Sequence, residues 1–157
     1  MNPITHTLLV VTEGVPRDAD VLAAAARLLR PDSHVVLMRV LPPPATNETP
    51  ATGDLLPPVD RVERHALDEL RSQARAFPGN RVTPVVLVGS DPDAEIARWI
   101  ASHPVDAVVI PARERRGLGL LWSGRRAPRL AQLGHTPVIT VYPAPAPATR
   151  QPTFRAA

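Results

Sequence analysis

An arginine-rich segment of this 157-residue chain offers the groups best suited to bind an anion. Positions 111–129 hold six arginines and one acid, a local charge of +5, whereas the whole chain carries +3. A guanidinium group can donate two parallel hydrogen bonds to a phosphate or a carboxylate. The segment also follows a short apolar run, a place where α/β proteins commonly seat a phosphate. The candidate ligand-binding residues in it are Arg113, Arg115, Arg116, Gly124, Arg125 and Arg126.

The same arginines also have a simpler interpretation. All 18 basic residues of the chain are arginine and none is lysine, which is typical of a compositional bias. On that interpretation the segment is a solvated loop whose charge reflects the overall composition. The sequence leaves both interpretations open.

A second group of candidates follows two apolar runs nearer the amino terminus. Thr12, Glu13 and Gly14 come directly after the run at residues 8–11, and Val40 lies near the end of the run at residues 34–41. Short apolar runs of this kind predict buried parallel strands. The candidates therefore lie where strands end and loops begin.

Alternating strands and helices are predicted to position both groups. Strands are predicted at residues 8–11, 34–41, 82–88, 105–110 and 138–142. Helices are predicted from Asp18 or Asp20 to Pro31, over residues 60–77, from Pro92 to His103 with Asp91 or Ser90 as the N-cap, and over residues 126–133. This alternation predicts an α/β fold in which a five-stranded parallel sheet has helices on both faces. The loops at residues 12–16, 40–44 and 111–124 are then expected to meet at the carboxyl edge of the sheet.

Composition excludes several classes of function. The chain has no cysteine and no lysine, so thiolate chemistry, Cys-type zinc sites and a lysine Schiff base are excluded. Its five aromatic residues argue against a nucleic-acid stacking platform. The five histidines are scattered, no metal site is expected, and no nucleophile–base arrangement indicates an enzyme. No apolar run is long enough for a membrane and no signal peptide is evident, so a cytoplasmic location is expected.

The expected organisation is one folded domain followed by a tail. The domain covers residues 1–143 and includes a flexible loop at residues 42–58, which is rich in Pro and Thr and lacks apolar periodicity. Pro84, near the start of the third predicted strand, indicates an edge position in the sheet. Residues 144–157 are rich in Pro and Ala and are expected to be disordered.

Four motifs, in this order and spacing, resemble the universal stress protein family. Residues 8–14 resemble its first strand and Asp-Gly-Ser turn, and residues 89–96 resemble its Gly-Asp-Pro turn and helix. Residues 105–110 and 136–141 resemble its fourth strand and its closing strand. The resemblance implies a Rossmann-like fold of the adenine nucleotide alpha hydrolase type. It also implies a homodimer formed through strand 138–142.

The phosphate loop of the ATP-binding members is only partly matched. Its form is G-x2-G-x9-G-[S/T], and in register with the closing strand its four positions fall on Pro111, Glu114, Gly124 and Arg125. Only Gly124 is kept. Pro111 has no N–H to donate, and Glu114 places a carboxylate where a triphosphate would carry its charge.

The other end of the family's pocket is also partly matched. Glu13 takes the place of the family's acid and Gly14 is retained, but Val15 replaces Ser. Glu13 could hold a ribose hydroxyl or simply be a solvated turn residue, and backbone groups at Val40 could face a base. The expected function is a regulatory or interaction module, homodimeric and with a possible protein partner, that binds no cofactor and no ATP in the usual family manner. The alternative is a binding module for AMP, a cyclic nucleotide or another small anion, with the arginines rebuilding the pocket.

Overall fold

Five parallel strands form the centre of the computed structural model, which describes residues 6–14, 18–43, 59–112 and 136–142. Their order is β3-β2-β1-β4-β5, and each neighbouring pair is parallel. This confirms the predicted α/β class and the five-stranded parallel sheet. β3 lies at one edge, as Pro84 indicates. The strands are β1 (Thr7–Val11), β2 (His34–Leu41), β3 (Arg81–Val88), β4 (Ala107–Pro111) and β5 (Val138–Val141).

Helices cover both faces of the sheet, also as predicted. They are α1 (Asp18–Ala26), α2 (Val59–Gln73) and α3 (Pro92–Ser102). On β1, Leu8 and Val10 pack in one apolar cluster with α1 and α2, and Leu9 and Val11 pack in another with α3. Because side chains alternate along a strand, a strand covered on both sides must be apolar throughout. That requirement explains the unbroken apolar run of β1.

The start of α3 follows the predicted capping pattern. The Asp91 side chain accepts hydrogen bonds from the backbone N–H groups of Asp93 and Ala94, and Pro92 is the first helical residue. Two acids in the first turn also complement the positive end of the helix dipole. The sequence therefore specifies where this helix begins.

Two expectations about α1 are wrong. The helix ends at Ala26 rather than at Pro31, although Leu28 and Leu29 still pack against the core from the turn that follows. The chain then reverses into β2 through Asp32, whose φ is +70°. At its other end the helix begins at Asp18 itself, so this residue lies in the first turn and not at the N-cap position.

Other predicted segments fall outside the described residues. These are most of the loop at residues 42–58, the helix at residues 126–133 and the tail at residues 144–157. α2 is shorter than predicted, because a 3-10 turn at Ala74–Ala76 replaces its last turn before the buried Phe77. Within the part of the chain that the structure describes, no helix has the length and apolar character needed to cross a membrane.

Candidate functional site

The order of the strands defines a crevice at the carboxyl edge of the sheet. From β1 the chain adds β2 and β3 on one side, and it then adds β4 and β5 on the other. In open parallel sheets, ligands bind outside the carboxyl ends of the strands at the point where the order reverses. That point lies between β1 and β4, where Val10 pairs with Val109. The three loops predicted to meet at this edge begin at the carboxyl ends of β1, β2 and β4, which are adjacent strands.

Four of the predicted ligand-binding residues come together at this edge. The N–H of Thr12 donates to the Met38 carbonyl over 2.8 Å, which keeps the end of β1 against β2. Thr12 is buried, Glu13 is half-buried and Gly14 is exposed. Val40 packs, partly buried, against the cluster on the α3 face. The other six candidates, Arg113, Arg115, Arg116, Gly124, Arg125 and Arg126, lie outside the described residues.

The described N–H groups that directly follow β1 and β4 at the crevice are used within the protein. The N–H groups of Glu13 and Gly14 donate to the two oxygens of the Asp18 carboxylate over 2.9 and 2.8 Å. Pro111, the last residue of β4, has no N–H, and the N–H of Ala112 donates to the Val141 carbonyl over 2.7 Å. A phosphate cradle needs free backbone N–H groups. None of these four positions offers one.

A buried arginine lies beneath residues 12–14, the described part of the connection from β1 to α1, which we call the β1–α1 loop. Arg39 continues the row of Val35 and Leu37 on β2, so it faces α1 and α2, and only 5% of its surface is exposed. Its Nη2 lies 3.7 Å from an oxygen of Asp18, and its Nη1 donates to Glu69 of α2. A Cβ at Gly14 would lie 3.1 Å from the guanidinium carbon, so the space between Gly14 and this group is too narrow for an unstrained side chain.

Helix α2 contributes a second polar contact one turn after Glu69. The Gln73 amide donates to Asp18 over 3.2 Å. We call Asp18, Arg39, Glu69 and Gln73 the Arg39 network. The hydrogen bond from Arg39 is the main reason that the pKa of Glu69, a half-exposed carboxylate, lies below its usual range.

Two donors of Arg39 are not matched by protein acceptors. Among the described residues, the Nε and Nη2 of Arg39 have no hydrogen-bond partner. The same holds for the side-chain amide oxygen, Oε1, of Gln73. The guanidinium is thus held by one strong contact and by the longer ion pair with Asp18. Losing either partner would leave a buried charge poorly compensated.

Sequence reasoning missed this network. Its signal was the arginine in the strand HVVLMRVL, where every other residue after the initial histidine is apolar, since a buried charge must find a partner. Asp18 was interpreted as a helix cap, but its carboxylate accepts from the loop before the helix. Arg39 and Glu69 are 30 residues apart, and no local pattern links them.

The sequence neighbours Ser102, His103 and Asp106 do not face the crevice. The Asp106 carboxylate accepts from the N–H of Thr7, at the amino end of β1, the opposite edge of the sheet. The His103 ring stacks on Trp99 with 4.2 Å between ring centroids, and its Nδ1 lies 3.0 Å from the Trp99 carbonyl. These contacts lie at the carboxyl end of α3, where His103 is the C-cap residue. Across the described ranges, no group of three or more His, Asp or Glu residues is placed to hold a metal ion.

Comparisons with known proteins agree with this architecture. The model of the universal stress protein family matches residues 5–142. A search of curated protein sequences gave no match. A universal stress protein in complex with cAMP matches with a TM-score of 0.63 and 15% identity, over 88% of this chain and 98% of that one.

Two further solved structures are similar. The universal stress protein UspA from Lactobacillus plantarum matches with a TM-score of 0.60 and 16% identity, over 87% of this chain and 97% of that one. A universal stress protein family member from Arabidopsis thaliana with AMP bound matches with a TM-score of 0.55 and 13% identity, over 92% and 97% of the two chains. At these identities the likeness concerns the fold.

Proposed function

This chain belongs to the universal stress protein family, and from that premise we propose that it is a regulatory and interaction module that does not bind ATP in the usual family manner. The observation that carries the proposal is the use of the backbone donors at the crevice. The N–H groups of Glu13, Gly14 and Ala112 all donate within the protein, and Pro111 has none. The role is one of binding and not of catalysis, and it is exercised in the cytoplasm.

Calorimetric titration with ATP and magnesium tests the proposal. The expected result is no heat of binding at micromolar protein concentration. Micromolar, magnesium-dependent binding would overturn it. The informative comparison is the triple variant Pro111→Gly, Glu114→Gly, Arg125→Ser, which restores the form of the family's loop. A gain of ATP binding by that variant would assign the loss to these three positions.

A second candidate function is the binding of AMP, a cyclic nucleotide or another small anion. It is supported by the position of Glu13 and Val40 at one crevice, and by two structural neighbours, one in complex with cAMP and one with AMP bound. Since the described backbone donors are in use, the anionic group would depend on the arginines of residues 113–126. A ligand with fewer phosphates than ATP requires fewer donors.

This candidate is tested by thermal shift and calorimetry with AMP, cAMP and ATP. We expect stabilisation by AMP or cAMP that disappears in the double variant Arg113→Ala, Arg125→Ala. The matched control is Arg61→Ala, Arg64→Ala, which removes the same charge from exposed positions of α2. Absence of a shift with every nucleotide would reject nucleotide binding as this function, and equal losses in both double variants would reject the role of the loop arginines.

We also propose that two copies of the chain associate through β5. This strand forms one edge of the sheet, and Tyr142, directly after it, is 76% exposed. An edge strand has backbone groups free to pair with another chain. Sedimentation should give the mass of a dimer, and Tyr142→Asp should shift it toward the monomer. Val62→Asp, at an exposed position of α2, is the control that should remain dimeric.

A further inference from the structure

Arg39 connects two parts of the molecule that are distant in sequence. On one side it pairs with Asp18, whose carboxylate accepts hydrogen bonds from the N–H groups of Glu13 and Gly14 in the β1–α1 loop. On the other it donates to Glu69 of α2, and Gln73 of the same helix reaches Asp18 directly. In this network, every chain of hydrogen bonds and ion pairs from α2 to the N–H groups of Glu13 and Gly14 passes through the Asp18 carboxylate.

We propose that Arg39 is a positioning residue that makes the geometry of the β1–α1 loop, at the ligand crevice, depend on the position of α2. The proposal goes beyond the proposed function in its first part, the coupling between loop and helix. Its second part, an effect on nucleotide affinity, rests on the second candidate function.

The charges of the network support this role. Asp18 is 3% exposed, and a buried carboxylate is stable only when it is paired and hydrogen-bonded. Arg39 is its cationic partner, but Glu69 competes for the same guanidinium and holds it by the closer contact. A displacement of α2 therefore moves the guanidinium relative to Asp18. The position of the Asp18 carboxylate, which accepts from the N–H groups of Glu13 and Gly14, then changes as well.

Packing supports the same conclusion. The guanidinium lies so close to Gly14 that a Cβ there would be 3.1 Å from both its carbon and its Nη1. Because the gap between the guanidinium and the Gly14 backbone is this narrow, the guanidinium has little room to move toward the loop before it displaces the backbone. Loop geometry thus responds to Arg39 through charge and through contact.

An arginine that merely fills the core would behave differently. Its loss would lower the stability of the whole domain, and the exchange of all core amides would accelerate by a similar factor. Loss of a positioning residue instead accelerates amide exchange in the loop more than in the rest of the domain. The ratio between the amide exchange rates of the loop and of the central strands separates the two roles.

The experiment is residue-resolved hydrogen exchange of the full chain without ligand. The amides of Glu13 and Gly14 are compared with those of Val10 and Leu37 in Glu69→Ala, at a half-exposed position where folding should be retained. We expect the loop-to-strand ratio of exchange rates to rise about tenfold, the scale of losing one charge-assisted hydrogen bond. An unchanged ratio would overturn the proposal.

Two further variants sharpen the result. Asp68→Ala removes an exposed ion pair with Arg71, 2.9 Å long, on the same helix, and should leave the ratio unchanged. Arg39→Lys keeps the charge but not the fork, so it should raise the ratio less than Arg39→Met does. Equal effects of Asp68→Ala and Glu69→Ala would assign the change to α2 in general and contradict the role of Arg39.

Nucleotide titration tests the second part. If the wild type binds AMP, Glu69→Ala should weaken that binding several-fold and Asp68→Ala should not; unaltered affinity in Glu69→Ala would refute the link to the crevice. If the wild type binds no AMP, cAMP or other nucleotide, the nucleotide-binding form of the second candidate function fails together with this part. The exchange ratio still decides the first part, so the two failures remain distinguishable.

Discussion

Replacing Gly14 by alanine should destabilise the protein more than the same change at Gly79. Both glycines have a positive φ, +76° and +82°, so both substitutions place an L side chain in the left-handed region at about 1–2 kcal/mol. At Gly79 the new Cβ would meet no atom within 4 Å. At Gly14 it would lie 3.1 Å from two atoms of the Arg39 guanidinium. Gly79→Ala therefore measures the backbone cost alone.

The additional cost at Gly14 depends on whether Arg39 can yield. The guanidinium is held by Glu69 and Asp18, and the few tenths of an ångström required must come from these contacts. Overpacking of a fixed neighbour costs about 1–3 kcal/mol. We therefore expect a total loss of about 2–5 kcal/mol for Gly14→Ala, from adding the overpacking and backbone costs.

Urea unfolding followed by circular dichroism measures both losses, provided that the slope of the transition is unchanged. The extra cost should vanish in an Arg39→Met background, since the more flexible side chain gives way, and this cycle assigns it to the guanidinium. Equal destabilisation by the two glycine variants, or an extra cost that persists without Arg39, would refute the reasoning.

Three other predictions concern a histidine, a helix cap and a core position. Burial, followed by the charge of Arg81, lowers the pKa of His34 below 6.5, so the unfolded state binds a proton at this side chain more readily than the folded state does. Stability therefore falls as the pH drops below 6.5. His34→Gln should remove this pH dependence of the urea midpoint. Asp91→Ala deletes the cap of α3 and should cost about 1 kcal/mol in urea unfolding, whereas no loss would contradict the capping bonds. Leu70 is fully buried, whereas Val62, on the same helix, is 41% exposed. Leu70→Ala should therefore cost about 2–5 kcal/mol in urea unfolding, and Val62→Ala less than about 1 kcal/mol. Similar values would mean that the buried face of α2 is misassigned.

Strands were predictable because their burial forces a simple pattern. β2 begins and ends at the predicted residues, since apolar side chains fill both of its faces up to Met38. The end of α1 was not predictable in the same way. Leu28 and Leu29 fit a helical period, yet they reach the core from a turn. Periodicity indicates which side chains are buried, and several backbone paths can bury them.

Part of the site was also predictable. Thr12, Glu13, Gly14 and Val40 come together because the carboxyl ends of adjacent parallel strands must lie at one edge. Arg39 was not recognised, because its partners come from α1 and α2 and depend on how those helices pack. Local sequence specifies the position of a strand end, whereas a buried charge is explained only by contacts that are distant along the chain.

The Arg39 network follows step by step from the shape of one turn. The positive φ of Gly14 goes together with two consecutive N–H groups that both meet one acceptor, Asp18. An apolar residue at position 18 would leave both donors unpaired, at about 1–3 kcal/mol each. The buried carboxylate in turn requires a cation, which Arg39 supplies from the neighbouring strand, and the long guanidinium extends to Glu69 at the surface. Because each group supplies the partner of the one before it, replacing buried Asp18 or Arg39 alone by an apolar residue leaves its partner uncompensated, and a change at the surface of α2 is carried to the turn.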